Sequence, residues 1–178
     1  MNNITDAIRE KAKKVRMIIL DVDGVLTDGS IILDNNGNEF KRFNVRDGHG
    51  VRMLKKAGIK GAIITGRNSE VVLRRAEELG IEEVHQGVFD KVSVFDDILS
   101  KYNFREDEIA FMGDDIVDIG ILRRVGLSAV PSDAEEGVKR WASFISTKKG
   151  GRGAVRELVN LILSSSGLYN PDSGEFLV

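Results

Sequence analysis

Six short runs read as buried strands: RMIIL (16–20), GAIIT (61–65), EVHQG (83–87), IAFMG (109–113), LSAV (127–130) and SFIST (143–147). Longer stretches of helical period separate most of them, and this alternation constrains the fold more than any other feature. SEVVLRRAEELG (69–80) carries Val71, Val72, Ala76 and Leu79 at the spacing of a helix with one inward face. Ser69 or Asn68 is placed to cap its start and Gly80 its end. KVSVFDDILSKYN (91–103), IVDIGILRRVG (116–126), DAEEGVKRWA (133–142) and GAVRELVNLILSS (153–165) repeat the pattern. Strands alternating with helices predict βαβ units and an α/β fold with a mostly parallel sheet. Ligands of such sheets bind beyond the carboxyl ends of the strands, near a switch in strand order.

One segment breaks the alternation. GSIILDNNGNEFKRFN (29–44) reads as two strands joined by the turn DNNG, a β-hairpin inserted after the first strand. Ile31, Ile32 and Leu33 run consecutively, and Phe40 and Phe43 lie on the return strand. A lone hairpin is marginal in water, so this one must pack on its own domain or on a neighbouring subunit. LYNPDSGEFLV (168–178) has no helical period and reads as a tail, with Phe176 and Leu177 as possible anchors. At 178 residues the chain fits a single domain, 1–178. It has no cysteine, which excludes disulfides and thiolate metal sites. A net charge of −2 gives no reason to expect nucleic acid or an anionic membrane as partner. MNNITDAIREKAKKV lacks the apolar core of a signal peptide, and no apolar run approaches the ~20 residues of a membrane span, so a cytoplasmic location is expected.

The strand ends carry the chemistry. Asp21 and Asp23 follow MIIL directly, Thr65 ends GAIIT, Lys91 lies in GVFDK, and Asp114 and Asp115 follow IAFMG. Two acids so close repel each other unless a cation offsets them. Magnesium prefers hard oxygen ligands, so Asp21, Asp23 and Asp114 suit it. Magnesium with a lysine and a threonine makes a site for phosphoryl oxygens. A carboxylate beside them can attack phosphorus to form an aspartyl-phosphate. The acid two residues on can protonate the leaving oxygen and later activate water. Gly24 allows the sharp turn that follows.

DVDGVLT, IITGR, GVFDK and MGDDIVD resemble, in order, the four motifs of the haloacid dehalogenase superfamily of phosphatases. The resemblance implies a Rossmann-like, doubly wound, mostly parallel sheet, with the small hairpin in place of a cap domain. It implies Asp21 as nucleophile, Asp23 as general acid/base, and Thr65 and Lys91 as holders of the phosphoryl group. Magnesium would be held by the Asp21 carboxylate, the Asp23 backbone carbonyl and Asp114, with Asp115 and Asp118 in support. FNVRDGHGVRMLKKAG, TGR and GGRGAVRE extend the likeness to the 3-deoxy-D-manno-octulosonate 8-phosphate (Kdo 8-phosphate) phosphatases. That family is cytoplasmic and serves lipopolysaccharide synthesis. Four of its hairpins form a barrel at the centre of a homotetramer, and a neighbouring subunit helps to close the site.

The implied substrate is an eight-carbon keto sugar acid, with a phosphate at one end and a carboxylate at the other. NVRDGHG (44–50) reads as a polar loop leading into a helix, with Asn44, Arg46, Asp47, Gly48 and Arg52 as candidate substrate contacts. Asp47 would accept from sugar hydroxyls. Asp23 and Lys91 belong to the same candidate set, as do Arg67 and Arg75, because arginine's planar fork suits a carboxylate. His49 is a packing or hydrogen-bonding residue instead of a base, and KKGGRGAVRE (148–157) offers a second helix start favourable to an anion. Three rival readings stand beside this one. A phosphatase for a nine-carbon sugar acid (KDN or sialic acid) is similar over most of the length, but tends to carry an acid where this chain has Arg67. A phosphoryl-accepting receiver domain places its acids in a different strand order. A non-catalytic regulatory domain would not need Asp21, Asp23, Thr65, Lys91 and Asp114 all intact.

Overall fold

The computed structural model of the chain describes residues 4–170, 172, 173, 175 and 176. β1 (Met17–Leu20) lies at the centre of a six-stranded sheet. β4 (Lys60–Ile64) and then β5 (Glu83–His85) flank it on one side. On the other side come β6 (Ile109–Met112), β7 (Leu127–Val130) and β8 (Phe144–Ile145). Every pair in the sheet is parallel. The chain builds outward from β1 through β4 and β5, then returns to β6 on the opposite edge of β1. The switch in strand order therefore falls at β1, and Asp21 is the first residue beyond its carboxyl end.

β1 is apolar throughout because both faces of the sheet are covered. Ile18 and Leu20 enter one buried cluster, which includes Ala12, Leu54 and Leu158. Met17 and Ile19 enter the other, with Phe95, Phe111 and Leu122. α1 (Asp6–Lys13), α2 (Val45–Lys56), α3 (Glu70–Leu79) and α7 (Ala154–Ser165) contribute to the first cluster, and α4 (Lys91–Tyr102) and α5 (Ile119–Leu122) to the second. α6 (Glu136–Lys139) adds Val138 there. α3 ends at left-handed Gly80 as its sequence predicts, but Ser69 at its start makes no side-chain cap bond, its hydroxyl donating to Glu39 instead.

Several expectations need correction. NVRDGHG is not a loop: α2 begins at Val45, and Asn44 caps it by accepting from the N–H groups of Arg46 and Asp47. IVDIGILRRVG and DAEEGVKRWA each hold a single α-turn, the former behind a 3₁₀ turn at Ile116–Asp118. The hairpin is smaller than its sequence suggests, pairing only β2 (Ile32–Leu33) with β3 (Glu39–Phe40). The described part of the tail is not loose. Tyr169 pairs with Phe176, and both pack on the first cluster; Leu177 lies outside the described residues. No helix among the described residues is long and apolar enough to cross a membrane.

Candidate active site

Asp21 emerges from the centre of the sheet with its backbone fixed by neighbours, its N–H donating to the Met112 carbonyl at 3.0 Å. Its carboxylate accepts from the Val22 N–H at 2.7 Å and lies 3.0 Å from Lys91 Nζ. Lys91 is the first residue of α4, behind the Asp90 cap. It also donates to Asp118 Oδ1 at 2.7 Å. Asp118 is fully buried, and its other oxygen accepts from the N–H groups of Asp114 and Asp115. Asp118 thus bends the loop after β6 towards β1. Burial opposes a charged lysine here, yet Asp21 and Asp118 hold the Lys91 ammonium above its ordinary range. A buried ammonium between two carboxylates has its partners supplied by the fold.

A cation fits beside this pair. Asp21, Asp114 and Asp118 each offer an oxygen within 4.8 Å of one another. Asp114 Oδ1 is buried without any hydrogen-bond partner. Burial lifts Asp114 to about 7, with the charges of Asp21 and Asp118 pushing the same way. Burial also lifts Asp21 to about 6, against the pull of Lys91. Three carboxylates here face one ammonium, hard oxygen donors with charge left over, the donor set that magnesium takes. Asp118 accepts from Lys91 and from two backbone N–H groups, the most of the three, so Asp21 and Asp114 keep more acceptor capacity for an ion.

The carboxylate cluster differs from the one expected. Asp118, not the Asp23 side chain, is its third member. Asp23 turns towards Lys41 at 2.5 Å and Arg67 at 3.6 Å, leaving its backbone carbonyl as its only route to a metal. Gly24, at φ +88°, makes the intervening turn, and a Cβ there would meet Asp114 Oδ2 at 2.1 Å. Only glycine lets the two acid loops approach so closely.

Asp21, Asp23, Thr65, Arg67, Lys91, Asp114 and Asp115 all line one cleft of about 330 Å³, with Phe89 and Val117 at its rim. Thr65 is buried at the end of β4, its backbone tied to His85 and Val88. Arg67 remains 44% exposed at the mouth.

The remaining substrate candidates lie elsewhere. Gly48, Arg52 and Arg75 line a separate cleft of about 270 Å³ with His49 and Glu78. Arg52 donates to the Glu78 carbonyl and Arg75 pairs with the Glu78 carboxylate. Arg46 is exposed and lines neither cleft. Asp47 is not available to a sugar. It is buried, and its two oxygens accept from the N–H groups of Gly153 and Arg156 at 3.1 and 2.7 Å, closing the start of α7. Burial still raises its carboxyl, partly offset by those two bonds. The same bonds fill the α7 start in KKGGRGAVRE, so it is closed to the anion expected there. His49 bonds to Arg156 at 3.0 Å, a hydrogen-bonding residue as expected. The glycines before α7 serve contact instead: a Cβ on Gly150 would lie 1.7 Å from the Gly24 carbonyl oxygen.

Two residues of this site escaped the sequence reading. Glu39 and Lys41, on the return strand of the hairpin, reach Arg67 and Asp23. The only signal was the polar–apolar–polar order of Glu39, Phe40 and Lys41, which places the two charges on one face.

A family model described as haloacid dehalogenase-like hydrolase matches residues 45–126. The chain is 42% identical over 165 residues to the 3-deoxy-D-manno-octulosonate 8-phosphate phosphatase KdsC of Escherichia coli strain K12, covering 93% of this chain and 88% of that protein. The crystal structure of the Yersinia pestis phosphatase of that name matches with a TM-score of 0.90 and 41% identity, over 91% of this chain and 88% of the other. That of the Moraxella catarrhalis phosphatase, in complex with magnesium, phosphate and KDO, matches with a TM-score of 0.90 and 40% identity, over 92% and 94%.

Proposed function

The chain belongs to the haloacid dehalogenase-like hydrolases, in the family of Kdo 8-phosphate phosphatases, and from that premise we propose that it hydrolyses Kdo 8-phosphate with magnesium. The observation that carries this reading is the pairing of Asp21 with Lys91 at 3.0 Å beside the unpartnered Asp114 oxygen. Asp21 and Asp114, with the Asp23 carbonyl, would hold the ion; bound magnesium neutralises charge on the phosphoryl oxygens.

The chain's own groups do the rest. Lys91 and Thr65 hold phosphoryl oxygens in front of Asp21. An Asp21 oxygen attacks phosphorus, and the bond to the sugar oxygen breaks. That oxygen keeps the electron pair and takes a proton from Asp23. In the second half a water molecule adds to phosphorus and gives its proton to Asp23. The Asp21–phosphorus bond then breaks, releasing inorganic phosphate and restoring both carboxyl groups. Arg67, exposed at the mouth, takes the sugar carboxylate in its planar fork.

The reading extends to assembly. Ile31, Ile32, Leu33 and Phe40 are all exposed on the hairpin, an apolar face that a small insertion leaves in water unless a second copy covers it. A homotetramer built on this hairpin, with the rest of residues 1–178 as a single domain, satisfies that requirement. Arg52 and Arg75, outside the acid cleft of their own chain, would then bear on substrate only across a subunit boundary. The expected location is the cytoplasm, where the product would feed lipopolysaccharide synthesis.

The deciding experiment measures phosphate release from Kdo 8-phosphate and KDN 9-phosphate, with magnesium and with chelator. Magnesium-dependent preference for the eight-carbon substrate supports the whole reading. Preference for the nine-carbon one keeps the mechanism and overturns the substrate. No release from either by folded protein overturns the catalytic reading.

A further inference from the structure

Lys41 follows β3 directly, where its neighbour Phe40 points to solvent with 53% of its surface exposed. Successive residues of an extended chain face opposite ways, so Lys41 points inward, and its side chain is only 2% exposed. Its ammonium lies 2.5 Å from Asp23 Oδ1 and 3.5 Å from Glu39 Oε1. Glu39 in turn accepts from Arg67 at 3.2 Å and from the Ser69 hydroxyl. Burying an ammonium is costly unless its charge is met, and here the partner is the acid two residues beyond the nucleophile.

That acid needs fixed geometry, first of all towards the leaving group. It must present an oxygen to the leaving group at hydrogen-bond distance, and a displacement of about 1 Å can cost roughly a hundredfold in rate. Lys41 engages Oδ1, leaving Oδ2 on the side of Arg67, which lines the cleft. The Thr27 hydroxyl, also near Asp23 Oδ1, is 3.5 Å away and bonds to the Val22 carbonyl as well, so it holds the carboxylate only weakly.

We propose that Lys41 is a positioning residue for the first half of the reaction, fixing the Asp23 carboxyl through Oδ1 so that Oδ2, on the cleft side beside Arg67, faces the departing sugar oxygen. The hairpin thereby completes the active site of its own chain, whatever it does between subunits. This rests on the assignment of Asp23 as the proton donor proposed above.

The test compares kcat/KM for Kdo 8-phosphate and p-nitrophenyl phosphate in the holoenzyme and in Lys41→Met, Lys41→Arg and Asp23→Asn. The sugar oxygen needs a proton to leave, whereas p-nitrophenolate departs without one. Lys41→Met is expected to lower kcat/KM about thirtyfold on the sugar phosphate and about threefold or less on the aryl phosphate, a fraction of the 10²–10⁴ that a proton donor supplies. The loss should appear in kcat, with KM nearly unchanged, and Lys41→Arg should recover most of it. Equal losses on both substrates, or a change confined to KM, would overturn the proposal in favour of a staple or a substrate contact. Lys41→Arg keeps charge and bulk, so its substrate ratio remains readable if the methionine variant fails to fold. Selective loss in Asp23→Asn, with no selectivity in either Lys41 variant, rejects Lys41 alone. No loss in Asp23→Asn rejects the assignment of Asp23 itself.

Discussion

The two walls of the cleft are made differently. One is Asp21, Lys91, Asp114 and Asp118, all at or just beyond the ends of β1, β6 and the strand–helix connection before α4. Asp21, Lys91 and Asp118 are buried there and paired on elements that the core already fixes, with one Asp114 oxygen left open. The other is Asp23, Lys41, Glu39, Arg67 and Ser69, in which three loops meet through a hairpin of two short paired strands. The first wall inherits its rigidity from the sheet. The second keeps its geometry only while the hairpin stays in place, and the hairpin's own apolar residues face outward. Placement of the phosphoryl group and placement of the proton donor are thus entrusted to parts of different intrinsic stability.

The largest expected effect strikes the sheet wall. Asp21→Asn should abolish turnover, by roughly a thousandfold or more, because an amide cannot form the aspartyl-phosphate. Thermal melting and oligomer size should stay near the parent's. Normal turnover by the folded variant would sink the mechanism for both walls.

A smaller effect should follow removal of the hairpin. Deleting residues 30–43 is expected to give monomers by light scattering and to lower kcat/KM on the sugar phosphate about a hundredfold, a loss in the range of a misplaced proton donor. Undiminished oligomer size would refute the hairpin's part in assembly. Full activity in a monomer would erase the distinction between the walls.

The mildest test leaves the sequence untouched. Burial raises Asp21 to about 6 and Asp114 to about 7. A proton therefore competes with magnesium below those values and ceases to do so above them. Affinity for magnesium should rise as pH goes from 5 to 8, by about tenfold or more, and calorimetry reads it directly. Affinity flat across that range would mean that the sheet wall does not hold the ion.

How far the sequence revealed these walls follows from the same contrast. The strands and the acids behind them stand out because burial on both faces makes β1 and β6 uninterrupted apolar runs, and the chemistry begins where they stop. Lys41 was invisible because a strand of two residues has no period to detect, and a surface-looking lysine announces no buried partner. Asp47 misled for another reason. Its partners, Gly153 and Arg156, lie more than a hundred residues away, and no local pattern connects a polar residue to the distant helix start that it caps. α1 went unnoticed because its inward face is only Ile8 and Ala12, with Ile4 and Val15 flanking it, sparse among charges.

The close seat of Gly150 and Gly151 on the loop after β1 bears on when this protein becomes competent during its synthesis. All four motifs have been made once Asp118 has been added. The loop carrying Asp21 and Asp23 is then still without the Gly151 N–H that supports the Val25 carbonyl. Asp47 likewise waits for the α7 backbone that takes up its charge. A chain that ends before Gly150 therefore holds every reacting group and lacks the contact that backs the loop carrying Asp21 and Asp23. Truncation before α7 is expected to cost activity although every catalytic residue remains.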